Sequence, residues 1–186
     1  MSDAAILTKV DADPGPVIAA ISFDERGRQC LIQALRRAAH TAQPVIALHV
    51  LHESGRTMGL YRRHDRGEVL RPNADVASRL LADFSAEIIA GEPGAAGTPL
   101  RQLVVAGVPE RRIAEVARLT GAELIIMGRR LQTGLQRLLR RNTALTVLRR
   151  APCPVLVVDG DGNALDTQDL RRARRDRAWP TAVETR

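Results

Sequence analysis

Few folds can accommodate the stretch from Glu123 to Val158, ELIIMGRRLQTGLQRLLRRNTALTVLRRAPCPVLVV. Leu124 to Met127 form a short apolar run, Gly128 and the residues after it break the pattern, and Leu135, Leu138, Leu139, Leu145 and Leu148 recur at helical spacing. Pro152 and Pro154 lack the backbone N–H that a helix needs, so the helix stops before the apolar run Val155, Leu156, Val157 and Val158. Strand, turn, helix and parallel strand make a βαβ unit. Its first turn lies at the carboxyl end of the sheet, where folds of this kind place their ligands.

The same stretch carries charge of one sign. Between Leu124 and Val158 there is no Asp or Glu, whereas Arg129, Arg130, Arg137, Arg140, Arg141, Arg149 and Arg150 all lie there. A helix amino terminus is already partly positive, so guanidinium groups beside it would favour an anion. The competing reading is an arginine-rich solvated helix face.

The rest of the chain repeats the unit. Val17 to Ile21 is a continuous apolar run suited to a strand covered on both faces, and Asp24 is placed to cap the helix that follows. Leu31, Ala34, Leu35 and Ala38 give that helix its inner face, with Cys30 on the same stripe as a packing residue. Gln43-Pro44 ends it, and Val45 to Leu51 is the next strand. His49 and His52 fall on opposite faces of an extended segment, with no partner set for a metal. Glu53 to Asn73, with Gly55, Gly59, Gly67 and five arginines, reads as a lid over an anion site or as plain disorder. Val76, Ala77, Leu80, Leu81, Phe84 and Ile88 predict an amphipathic helix closed by Gly91. Leu100 to Ala106 is a strand, Pro109 opens a helix carrying Ile113, Val116 and Ala117, and Gly121 ends it. Five strands alternating with four helices predict an α/β fold, an open parallel sheet doubly wound with helices on both faces.

Composition narrows the class. A chain of 186 residues with 45% hydrophobic residues can bury one good core, and with 2% aromatics that core is aliphatic. Two cysteines, Cys30 and Cys153, exclude a disulfide framework. No run approaches the roughly 20 apolar residues that cross a bilayer, and no signal-like start is present, so no membrane role and a cytoplasmic location are expected. Residues 1–16 read as a leader, 17–159 as the folded domain, and 160–186 as a polar tail in which Asp residues offset the arginines of 171–177. The net charge of +7 points to anionic company, but the basic segments lack interleaved aromatics, so nucleic acid is not the expected partner.

Strand one and its helix, the segment GVPERRIAEVA from Gly107 to Ala117, and above all IIMG…GLQRLL…VLRRAPCPVLVV resemble the universal stress protein family. The resemblance implies strand order 3-2-1-4-5, an adenine nucleotide alpha hydrolase-like arrangement, and a homodimer joined through Val155, Leu156, Val157 and Val158. Many members hold ATP with the pattern Gly, two residues, Gly, nine residues, Gly, then Ser or Thr. Here Gly128 keeps the first position, while Leu131, Arg141 and Asn142 occupy the others, and Ser22 stands where an aspartate ends strand one. Leu131 fills space that backbone must yield to phosphate. The resemblance therefore implies the branch lacking the full glycine motif: a non-catalytic, homodimeric stress-response protein acting through an unknown protein partner, with a degenerate nucleotide site and no obligatory cofactor. The alternative is a regulator responsive to ATP, AMP or another anion through a variant loop. Its binding residues would be Ser22, Met127, Gly128, Arg129, Arg130, Gly134, Arg141 and Asn142, with Met127 against the base. No nucleophile, base and orienting group can be assembled, so no catalytic residues and no metal ligands are expected.

Overall fold

The computed structural model describes residues 14–52, 73–95, 97–129 and 143–165. The predicted lid at Glu53 to Asn73 lies outside them but for Asn73 itself, as do Leu135, Leu138 and Leu139. The strands are β1 (Val17–Ala20), β2 (Val45–His52), β3 (Leu100–Gly107), β4 (Leu124–Gly128) and β5 (Val155–Val158). The helices are α1 (Glu25–Thr41), α2 (Asn73–Gly91), α3 (Pro109–Thr120) and α4 (Thr143–Arg150). The sheet is five-stranded in the order β3-β2-β1-β4-β5, and every pair is parallel, as the alternation of elements predicts.

Side-chain alternation along each strand splits the core into two layers. Val17 and Ala19 of β1, with Val45, Ala47, Leu124 and Ile126, pack against Leu31, Ala34 and Leu35 of α1 and Leu81 and Ile88 of α2. Ile18, Ile46, Leu48, Ile125, Met127 and Val157 face the other way, onto Ile113, Val116 and Ala117 of α3 and Ala144 and Val147 of α4. The sheet is thus doubly wound, and the apolar runs read from the sequence are buried on both sides. At the amino-terminal edge, the Gln43 side-chain amide donates to the Gly15 carbonyl at 2.8 Å and to Glu123 at 2.6 Å, tying the entrances of β1, β2 and β4 together.

Local predictions hold at several element ends. Asp24 is extended at φ −148° and its carboxylate accepts from the Gly27 amide, capping α1. Pro109 sits in the first turn of α3 and Gly121 closes it. Cys30 is fully buried, and burial, with Asp24 nearby, pushes its thiol up to about 12. Leu80 differs: it is 48% exposed, because the buried stripe of α2 runs through Ala77, Leu81 and Ile88 and turns toward Ser85 instead.

The end of α1 is the one place among the described residues where a side chain is held in the left-handed region. Ala42 has φ 55° and ψ 25° where a glycine would ordinarily stand. Its Cβ crowds the following carbonyl, at a cost of roughly 1–2 kcal/mol that the larger entropy of an unfolded glycine offsets in part. Ala42→Gly is expected to raise the stability of the native state by about 0.5–1 kcal/mol, read as a higher urea midpoint with an unchanged slope.

Candidate functional site

The strand order reverses direction between β1 and β4, and an open sheet of this kind has its crevice at the carboxyl ends of those two strands. Ala20 is in register with Met127, so the residues that follow both strands emerge side by side. Ser22, beyond β1, and Gly128 and Arg129, at the end of β4, therefore lie along one rim. Arg130, Gly134, Arg141 and Asn142 lie outside the described residues. Met127 is 4% exposed, its side chain packed in the layer covered by α3 and α4.

The rim is shaped by how closely α1 enters it. The Ser22 carbonyl accepts from the Asp24 amide at 2.8 Å, which folds the chain back so that Gly27 lies directly under Ser22. A Cβ on Gly27 would stand 1.8 Å from the Ser22 carbonyl oxygen. On the other side of the turn, a Cβ on Gly128 would stand 2.8 Å from the Arg26 Cβ, an atom that cannot swing aside. Gly128 is read from the sequence as backbone laid bare for phosphate; in the structure its missing side chain makes room for the first turn of α1. Arg26 is the residue that sequence reasoning passes over. No local spacing signals it, because its close neighbour is Gly128, far along the chain.

The electrostatics also differ from the sequence pattern. Asp24, 104 positions earlier in the chain than Gly128, brings a carboxylate to the rim through its pairing with Arg26, whose Cβ faces Gly128. The Ser22 hydroxyl donates to Asp24 Oδ1 at 2.7 Å, the Gly27 amide donates to the same oxygen at 3.2 Å, and the Arg26 guanidinium pairs with Oδ2. Burial by itself would raise the Asp24 carboxyl; the hydrogen bonds from Arg26, Ser22 and Gly27 outweigh it and hold the group below its ordinary value. The amino end of α1 and the charge of Arg26 are both answered from within. Arg28 is likewise engaged, with Glu87 and Glu25, and stacks 5.8 Å over Phe84.

Beside the rim, the His49 ring donates from Nδ1 to the Ile21 carbonyl at 2.9 Å and lies 4.4 Å from the Phe23 ring. Phe23 in turn meets Phe84 edge-on at 5.7 Å. His49 is a packed histidine, as its place in β2 predicts. Among the described residues, no three His, Cys, Asp or Glu side chains cluster as metal ligands, and no helix is long and apolar enough to cross a membrane.

Two variants test this geometry. Gly128→Ala is expected to destabilise the protein by about 1–3 kcal/mol in denaturant titration without any ligand present, because the added methyl meets Arg26. Asp24→Asn is expected to cost up to about 1 kcal/mol near neutral pH, because asparagine caps a helix as well but carries no charge to face Arg26 and the helix amino end. Since the folded carboxyl titrates below 3.8, the wild-type advantage is full above that value and vanishes as pH falls through the lower folded value, which paired melts from pH 7 to 2.5 would trace.

Comparison with known proteins agrees with this architecture. The family model described as universal stress protein family matches residues 15–159. A universal stress protein of Methanocaldococcus jannaschii is 42% identical over 62 residues, a match that takes in 33% of this chain and 36% of that relative, so little more than a third of the relative's length is spanned. Among solved structures, a universal stress protein in complex with cAMP is 19% identical, with 78% of this chain and 97% of that chain covered at a TM-score of 0.57. One from Archaeoglobus fulgidus is 20% identical, with 77% and 92% covered at 0.56, and another from Archaeoglobus fulgidus, in complex with dAMP, is 19% identical, with 78% and 97% covered at 0.54. Five parallel strands in this order, wound on both faces and matched over most of the chain, make this protein a member of the universal stress protein family.

Proposed function

We propose that this chain is a non-catalytic stress-response protein of the cytoplasm whose nucleotide site is degenerate and whose output passes through partners, beginning with a second copy of itself. The observation that carries the reading is the internal closure of the rim. Asp24 accepts from the Gly27 amide and pairs with Arg26, so a phosphate approaching α1 would meet a fixed carboxylate in place of free amides. Ser22, where the resemblance implies an aspartate, spends its hydroxyl on Asp24.

A second reading is favoured by the solved relatives that hold cAMP and dAMP. In it, an adenine nucleotide or another anion uses a variant site with Met127, Gly128, Arg129, Arg130, Gly134, Arg141 and Asn142. Thermal shift with millimolar ATP, ADP and AMP separates the two. Saturation at a hundred times the dissociation constant stabilises by about 2.7 kcal/mol, several degrees for a domain of this size. The proposed function predicts less than about 1 °C with each nucleotide, and no nucleotide in the supernatant of the denatured protein by mass spectrometry. A shift of several degrees, or a released adenine nucleotide, would transfer support to the second reading.

The homodimer proposed through Val155 to Val158 has a built-in constraint. Val157 is fully buried within the single chain, packed with Ile18 and Met127, so its side chain serves the core and a partner could meet only backbone there.

A further inference from the structure

β5 ends the sheet, and its outer edge is not bare. In a parallel pair alternate residues turn their backbone groups inward; Pro154 and Val158 accept from Ile125 and Arg129 of the β4 side, which turns Val155 and Val157 outward. Past Asp159 the chain doubles back along that edge. Val158 forms an antiparallel bridge with Ala164, the Leu165 amide donates to the outward Val157 carbonyl at 2.8 Å, and the Asp159 amide donates to the Asn163 carbonyl at 3.1 Å. Composition reads this segment as part of a polar tail; in the structure 160–165 is a strap laid on the sheet.

The strap is fastened at three points. Asp159 Oδ1 accepts from the amides of Asp161 at 3.0 Å and Asn163 at 2.8 Å, closing the turn. Gly162 takes φ +84°, a conformation side chains rarely adopt, and its carbonyl accepts from the Gln33 side chain of α1 at 3.3 Å. Leu165 is partly buried against the core layer that contains Val157 and Ala144. What stays open is Val155, with both its outward N–H and its C=O, together with the N–H of Val157, whose carbonyl alone the strap takes. One donor and one acceptor on a single edge residue suit a two-fold mate, because two copies of β5 running antiparallel would satisfy each other reciprocally.

We propose that the strap guards the sheet edge, competing with the β5 strand of a second copy for the same backbone groups. With the strap seated, a mate can pair in full only with Val155, a contact too small for a stable interface; with the strap lifted, the Val157 carbonyl and the Asp159 amide are released, the pairing extends and the edge dimer closes. This deepens the homodimer reading given above and rests on it. The device also explains how a short apolar edge strand is kept from indiscriminate pairing.

The full-length chain tests it by sedimentation velocity over a concentration series. Leu165→Pro removes the N–H that reaches Val157 and is expected to tighten self-association at least tenfold. Adding Val155→Pro to that variant removes the donor only a mate would use, and is expected to abolish the gain, since proline is tolerated on an outward edge position. Hydrogen exchange on the wild type gives an independent readout: protection of the Leu165 amide should fall as protein concentration rises and mates displace the strap. Identical dissociation constants for wild type and Leu165→Pro, with both dimeric and Leu165 protection independent of concentration, would overturn the guard while leaving the homodimer standing. Monomers at every concentration in both would overturn the two together.

Discussion

Burial of β1 on both faces is the constraint from which the rest of this molecule follows. Val17, Ile18 and Ala19 have no exposed surface, and each neighbouring strand pairs with them in parallel. A strand so placed needs a helix layer on either side, and parallel neighbours need crossovers long enough to contain those helices. The aliphatic core, nearly free of aromatics, is filled by branched strand residues against alanine-rich helix faces such as Ala34 and Ala38 of α1. With Val17 level with both Val45 and Leu124, the carboxyl ends of β1 and β4 are fixed side by side, and the crevice at the point of strand reversal is set before any functional residue is considered.

What that crevice holds is decided by the closeness of α1. The helix begins within van der Waals reach of both strand ends, which is why Gly27 and Gly128 have no side chains. The same approach delivers Asp24 and Arg26 to the rim, where they answer each other, the helix cap and Ser22. A partly exposed ion pair of this kind contributes little to stability, on the order of 1 kcal/mol or less. Its consequence is electrostatic. It sets a carboxylate, covalently part of the turn, at the positive amino end of α1.

The opposite concern governs the far side of the sheet. β5 has only four residues, and its outward backbone groups would be open to any strand that came by. Asp159, Gly162 and Leu165 hold a returning segment over part of that edge and leave Val155 uncovered. At rim and edge alike, part of the backbone that faces outward is met by a neighbouring segment of the same chain.

The sequence by itself determined the fold class, the strand order through its family resemblance, and most element ends. Continuous apolar runs, helical leucine and alanine spacing, a capping Asp24 and a closing Gly121 are local signals, and local backbone physics acts on them wherever the chain lies. It also brought Ser22, Gly128 and Arg129 to one rim, because alternation and register suffice for that. Tertiary structure alone decided that Gly128 makes room for Arg26, that Leu80 turns outward, and that Ala164 and Leu165 return to β5. Each of these is a contact between residues distant in sequence or a rotation of a helix set by its neighbours. Charge runs and glycine spacings count only what is adjacent along the chain, whereas electrostatics and sterics act across space.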